Sequence, residues 1–506
     1  MLKSKSKIII YYFLLFIFEI KIISISCLNF SLKFSSNLYI NYLNSQISYT
    51  EELNKLYIEQ IIKYIFENKI ISTLYIGNPL QKMTIFFNNN ENSFYLSKDP
   101  EINNDKFFIE QNIQDKYSIL ISSTYILKNL VKYESRRYNT VHFGQEQISF
   151  DTKSKFDFQF LIENDAENDP IYFGIAGLGL DKDNELLNYP KFLNQLYSHK
   201  IINNYYWYIN YEENKLIIGE ENDINNNNNS KEVLTKPFFD QFNDISILDW
   251  NILFTEVYLN TIENKNKIYF NKNNLNFQAN LNIDYGFIIG IPKYREYLNE
   301  NFFEQFIKDK ICFEHKYLSN NKYKKNYYLY SCNKEYESEI KTKFHTLIFI
   351  SKEFNYTYEL NYNDLFININ NNKTLLFLVI FEVIDARTIN YDRWILGEPF
   401  LKKYQFIFNP KKKTIIFKKK MENITNISNL NNSRINLNIN IKIILIIFCV
   451  FVVLFLIFKY IKKYKIKNAK RNLDINKSNY KNNNTNKELE LKDSLMYSNN
   501  NYYLKK

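Results

Sequence analysis

The stretch Trp394-Ile395-Leu396-Gly397-Glu398-Pro399-Phe400-Leu401-Lys402-Lys403-Tyr404 runs a hydrophobic-hydrophobic-Gly strand into Glu-Pro and a short amphipathic segment. Two further apolar runs follow it, Phe406-Ile407-Phe408-Asn409 and Thr414-Ile415-Ile416-Phe417. Working back towards the N-terminus, the same texture reappears at Ile70–Ile76, Met83–Phe87, Tyr117–Ile121 and Ile175-Ala176-Gly177. Short apolar or alternating runs separated by turn residues predict an all-β body from Lys69 to Lys420. Glu220–Glu232, with five consecutive Asn, interrupts the pattern midway and reads as a surface loop near a boundary between two lobes, 69–235 and 236–420.

The 506 residues leave room for two or three domains with a proper core. Asn, Lys, Ile, Tyr and Phe are abundant while Gly numbers nine and Pro eight, so composition weakens propensity arguments and motifs carry the reading. The net charge of +11 is not spread over the chain. Residues 459–506 hold thirteen Lys or Arg against four Asp or Glu, so the excess sits in a tail beside an apolar run and a nucleic-acid partner is not expected.

Lys3, Lys5 and Lys7, the apolar Ile8–Phe18 and the small-residue exit Ser24-Ile25-Ser26 read as a signal peptide over 1–27, with an uncleaved signal anchor as the alternative. Ile443–Phe458 is uninterrupted apolar sequence, and a transmembrane helix is expected over 442–461. Lys459, Lys462, Lys463, Lys465 and Lys467 follow at once, which places the flank 462–506 in the cytosol and the body in a lumen or outside the cell. Residues 28–68 read as a helix-leaning lead-in or prosegment, and 421–441 as a polar stalk. The expected protein is therefore type I and single-pass. On its luminal side, Asn29, Asn228, Asn355, Asn372, Asn423, Asn426 and Asn431 open glycan-acceptor triplets. Of four cysteines, Cys312 and Cys332 form the only pair in the body, which predicts one disulfide in an oxidising compartment; two separate buried thiols are the alternative.

Six segments in order resemble the signature stretches of pepsin-like aspartic proteases. Ile70–Lys82 is similar to the opening strand and its Gly-x-Pro-Pro-Gln turn, and Met83–Phe87 to the strand entering the first active-site loop. Ile175–Gly179 resembles the strand crossing behind that loop, Asp249-Trp250-Asn251-Ile252 the strand opening the second lobe, and Asn282–Gly286 the second active-site loop. Trp394–Tyr404 is the closest match of all. The resemblance implies a bilobal all-β fold with lobes related by a pseudo-two-fold axis, no metal or organic cofactor, and a disulfide where Cys312 and Cys332 lie. It also implies two aspartates that share one proton, one activating a bridging water while the other protonates the peptide carbonyl.

Departures from that pattern gather at the catalytic positions. On the match, Asn88 stands where the first aspartate belongs, Asn89 replaces the hydroxyl residue, and Asn90 replaces the glycine. Asp284 and Gly286 keep the second loop, but Tyr285 and Phe287 stand where Thr or Ser is expected. No glycine lies between Gly77 and Gly144, the stretch that should hold the flap, and Tyr125 is the candidate flap tyrosine. An amide has no acidic proton and cannot act as a general base. The expectation is a membrane-anchored homologue without hydrolysis that binds a peptide or protein partner in its interlobe cleft. The alternatives are an active endopeptidase with an atypical Asn88/Asp284 dyad, and a surface ectodomain that uses the fold as a platform. His142, on a strand with no metal-ligand spacing around it, reads as structural.

Overall fold

The computed structural model describes residues 27–35, 65–66, 69–97, 117–131, 141–151, 154–163, 173–180, 190–219, 231–235, 238–240, 245–247, 249–260, 267–270, 277–318, 326–369, 373–383, 393–418 and 459–460. The chain divides into two units, Met1–Lys420 and Met421–Lys506. In the second unit, Lys459 and Tyr460 are helical and exposed, and the rest of the expected span and tail lies outside the described residues, as does the signal segment. No helix among the described residues is long and apolar enough to cross a membrane.

The first unit is mostly β-strand, and its topology occurs twice. In the first half the strands are β1 (Ile70–Ile76), β2 (Gln81–Asn88), β3 (Phe94–Ser97), β4 (Val141–Ser149), β5 (Phe156–Glu163) and β6 (Phe173–Gly177). They lie side by side in the order β1-β2-β6-β3-β5-β4. The second half has β7 (Asn251–Phe254), β8 (Phe277–Leu281), β9 (Ile288–Gly290), β10 (Asn326–Asn333), β11 (Val379–Glu382) and β12 (Trp394–Leu396), in the order β7-β8-β12-β9-β11-β10. Strand senses repeat as well. β2–β6 and β8–β12 are parallel, β3–β5 and β9–β11 are parallel, and the other neighbours in each path are antiparallel. Parallel pairs sit at the centre, where both faces are covered, and this explains why Met83–Phe87 is buried at every position rather than at alternate ones.

A third, six-stranded sheet takes strands from both halves, in the order Leu28–Ser31, Lys215–Ile218, Trp207–Asn210, Gln405–Asn409, Thr414–Lys418 and Lys231–Leu234. Trp207 stands opposite Phe408 and stacks on it at 4.4 Å between centroids, while Trp250 meets the same ring edge-on at 5.0 Å. Such aromatic pairs contribute about 0.5–1.5 kcal/mol each beyond the area they bury. Trp207, Trp250 and Trp394 are all fully buried in one continuous core that spans both halves. Where β12 begins, Arg393 donates to Asp249 at 3.2 Å and to Asn251 at 2.6 Å, clasping the entry of the second half to its last central strand.

Two readings of the chain need correction here. Residues 28–34 are not helix-leaning: Leu28–Ser31 and Lys33–Phe34 are strands, with Phe30, Leu32 and Phe34 buried and Asn29, Ser31 and Lys33 exposed. That alternation has the period of a sheet and wins over weak local helix preference. The run Tyr117–Ile121 is not a strand either, since Ile119–Ile121 forms a single 3-10 turn with Leu120 and Ile121 left exposed.

Cys312 and Cys332 stand directly opposite each other in an antiparallel pair and form a disulfide. The bridge closes a loop with a sequence separation of 20. Replacing both cysteines with alanine is expected to cost about 3 kcal/mol, chiefly by freeing that loop in the unfolded chain. Urea denaturation of the double variant under oxidising conditions measures it, and reduction of the wild type should give a matching loss.

Candidate functional site

Each half turns a loop across its central glycine. In the first, β2 ends with Asn88 opposite Gly177 of β6, and residues 88–93 then fold over that glycine. A Cβ at Gly177 would lie 2.6 Å from the carbonyl oxygens of both Glu91 and Ser93. In the second, β8 ends with Leu281 opposite Leu396, so that Asn282 comes level with Gly397. There a Cβ would lie 2.3 Å from the Tyr285 oxygen and 2.2 Å from that of Phe287. The loops have equal length, for the returning strands align Tyr95 with Ile175 and Ile289 with Ile395. Asn88 thus corresponds to Asn282, Glu91 to Tyr285, Ser93 to Phe287, and Asn90 to Asp284.

That last pair meets. Asn90 Nδ2 donates to Asp284 Oδ2 at 2.8 Å, across a sequence separation of 194. Asn282 Nδ2 donates to Asn90 Oδ1 at 3.3 Å, and Asn89 Nδ2 donates to the Leu281 carbonyl at 3.0 Å. Each loop is also held by its own first asparagine: Asn88 Oδ1 accepts from the Asn90 amide at 2.7 Å, and Asn282 Oδ1 from the Asp284 amide at 2.9 Å. Asn and Asp side chains often stabilise turns in this way, by bonding the backbone two residues on. Asn89 and Asn282 are buried, Asp284 is half-buried and Asn90 is exposed, so the pair opens to solvent on one side.

The residue facing Asp284 is therefore Asn90, not Asn88, whose side chain is turned into its own loop. Three consecutive asparagines hid the register; the strand alignment with Gly177 sets it. Asn282, expected only as part of the loop, bonds across to Asn90, and its signal was available as an asparagine two residues before the carboxylate, matching Asn88 before Asn90. Tyr125 lies at the base of the hairpin formed by Ile126–Val131 and β4, stacked on Phe160 at 6.3 Å. The joining segment, 132–140, lies outside the described residues.

Tyr211 is half-buried with its hydroxyl enclosed, and it lines a small cavity together with Ile283 and Leu401. Burial, with the charges of Glu398 and Asp284 adding to it, holds its hydroxyl well above the ordinary phenol range, so it stays an O–H donor. In front of the loop lies the chain's own lead-in. The Gly286 amide donates to the Ile65 carbonyl at 2.9 Å, and Phe66 packs against Tyr285 at 5.4 Å and Tyr327 at 4.8 Å. Ile65 and Phe66 are each 2% exposed.

Chemically, among the described residues the centre sets the Asp284 carboxylate beside two amides, with hydrogen-bond polarity running Asn282 to Asn90 to Asp284. A carboxylate pair shares a mobile proton; here the bridging hydrogens belong to amide nitrogens, which do not release them at any physiological pH. Among the described residues no group of three His, Cys, Asp or Glu side chains converges as a metal site requires. No family model matches the chain, and no curated protein does either.

Proposed function

We propose that this is a membrane-anchored homologue of pepsin-like aspartic proteases that has lost hydrolysis and binds an extended peptide or protein partner between its two lobes. The single observation that carries the reading is the 2.8 Å contact from Asn90 to Asp284, an amide facing a carboxylate where the two halves present equivalent loops. The repeated strand order and senses of the two halves support the bilobal pepsin-like fold. The Cys312–Cys332 bridge supports an oxidising, luminal or extracellular setting for the body. The apolar Ile443–Phe458 and its basic flank support a carboxyl-terminal anchor with a cytosolic tail.

Loss of hydrolysis follows from proton bookkeeping at the centre. General acid–base terms contribute about 10²–10⁴-fold, and both roles need a group that gives or takes a proton in the transition state. Asp284 can take one; the Asn90 amide that faces it can neither hold nor return it. A peptide mixture at acid pH is expected to remain uncut by the purified protein. Addition of a pepstatin-type inhibitor should change nothing, and Asp284→Ala should match the wild type. Inhibitor-sensitive cleavage that disappears in Asp284→Ala would replace this reading with that of an active endopeptidase.

A further inference from the structure

We infer that Asn355 is a modification site, its side-chain amide presented at a rigid hairpin turn to accept an N-linked oligosaccharide. Its use rests on one part of the reading above, the placement of the body in a lumen or outside the cell.

Asn355-Tyr356-Thr357 is one of the seven acceptor triplets that precede the expected span, and its place in the fold sets it apart. Strands Thr346–Ser351 and Tyr356–Leu360 pair antiparallel with Ser351 opposite Tyr356, and residues 352–355 make the turn between them. Asn355 closes that turn at φ 50°, in the left-handed region that Asn tolerates better than most residues. Its backbone N–H donates to the Lys352 carbonyl at 3.3 Å, while Asn355 and Thr357 are both exposed. Aromatic anchors seat the turn on either side. Phe354 is buried against Phe406 and Phe417, with centroids 6.2 Å from each, and the Tyr356 ring lies 4.6 Å from Phe417. The acceptor is thus held outward, where a bulky, solvated sugar displaces no core side chain. Among the described residues the one other triplet with its Asn in place, Asn29-Phe30-Ser31, lies within the paired strand Leu28–Ser31 instead of a turn.

The co-reactant is a lipid-linked oligosaccharyl pyrophosphate. Asn355 Nδ2 bonds to the anomeric carbon of its first sugar as the bond from that carbon to the pyrophosphate oxygen breaks. The lipid pyrophosphate leaves, and one amide proton passes to a base on the transferase. The Thr357 hydroxyl, two residues on, completes the motif that such a transferase reads. A left-handed turn favours Asn or Gly at position 355 in any case, so the two roles have to be separated by experiment.

The full chain is translated into sealed microsomal membranes and treated with peptide N-glycosidase in heavy-oxygen water, which turns each glycosylated Asn into isotope-labelled Asp. Mass spectrometry should find that label at position 355. Asn355→Gly keeps the left-handed turn but not the acceptor, and should lose one glycosidase-sensitive step in gel mobility. Thr357→Val, which leaves the turn itself untouched, should lose the same step, and Thr357→Ser should retain it. An unlabelled Asn355 beside label at another triplet, or equal numbers of steps in wild type and Asn355→Gly, overturns the site and leaves the luminal reading standing. If no triplet is labelled, protease added outside the sealed membranes separates the two. A protected body then overturns the site alone, and a digested body overturns the luminal reading and the site with it.

Discussion

Gly397→Ala should destabilise the protein by about 3–5 kcal/mol or prevent folding of its second half, although alanine is the smallest change available. The added methyl group would sit 2.2 Å from the Phe287 oxygen and 2.3 Å from the Tyr285 oxygen, well inside contact distance of two backbone atoms. Neither can retreat cheaply. The Tyr285 carbonyl accepts from the Glu398 amide at 2.8 Å, and the Asn282 amide is tied to the Leu396 carbonyl at 3.1 Å, so the crossing is pinned on both sides of the glycine. Relief requires breaking those bonds and lifting the loop that carries Asp284.

Gly174→Ala is the informative contrast. Its nearest neighbours would be Met83 Cε at 3.1 Å, with Ile85 Cγ2 and Leu96 Cδ2 at 3.3 Å, all side-chain termini able to shift. It should cost about 1 kcal/mol. Comparing urea midpoints of the two variants with the wild type checks the pair, and a Gly397→Ala protein as stable as Gly174→Ala would mean that loop and strand do not cross as described.

Much of this architecture was legible in the residues, and the limits have physical causes. Ile175-Ala176-Gly177 and Ile395-Leu396-Gly397 announced themselves because a glycine ending an apolar strand marks a close approach of backbone, and both are crossed by a loop. Cys312 and Cys332 were the body's only cysteine pair and are bonded. The facing residue was misread by two positions. Asn88, Asn89 and Asn90 are chemically identical, so only the alignment of β2 with β6, a contact between residues far apart in the chain, distinguishes the one that turns outward. Strands at Leu28–Ser31 and Lys33–Phe34 were missed for a different reason: their alternation was present, but their partners, Lys215–Ile218 and Ile70-Ile71, lie elsewhere in the sequence. The seating of Ile65-Phe66 on Gly286 had no local signal at all, because it depends on tertiary placement of two segments more than two hundred residues apart.

Asn90→Asp is expected to give a protein that loses stability, relative to the wild type, as pH rises. The substitution puts a carboxyl oxygen where the amide nitrogen now lies 2.8 Å from Asp284 Oδ2. Two carboxylates at that separation cannot both ionise freely, so the native pair retains one proton above the ordinary aspartate value of about 3.9. The sign follows from counting protons. Below the unfolded value both states are protonated, an O–H replaces the N–H donor, and the variant should nearly match the wild type. Above it the unfolded chain releases a proton that the native pair still holds. The native state then binds more protons, and stability falls with pH by up to about 1.4 kcal/mol per unit. The fall ends once the native pair itself ionises. Exposure of position 90 lets solvent and salt screen the repulsion, which limits the total to about 1–3 kcal/mol and makes it smaller at high ionic strength. Denaturation of wild type and variant from pH 4 to 8 gives the difference directly, and a gap that stays constant with pH would show that the two side chains do not face each other. On the proposed function the variant should still fail to cut peptides, because Glu91 and Tyr285 follow the pair where the resembled proteases carry small hydroxyl residues. An amide at position 90 thus does two things at once: it removes the proton that two facing carboxyls would share, and it spares the junction of the two loops the repulsion between two carboxylates.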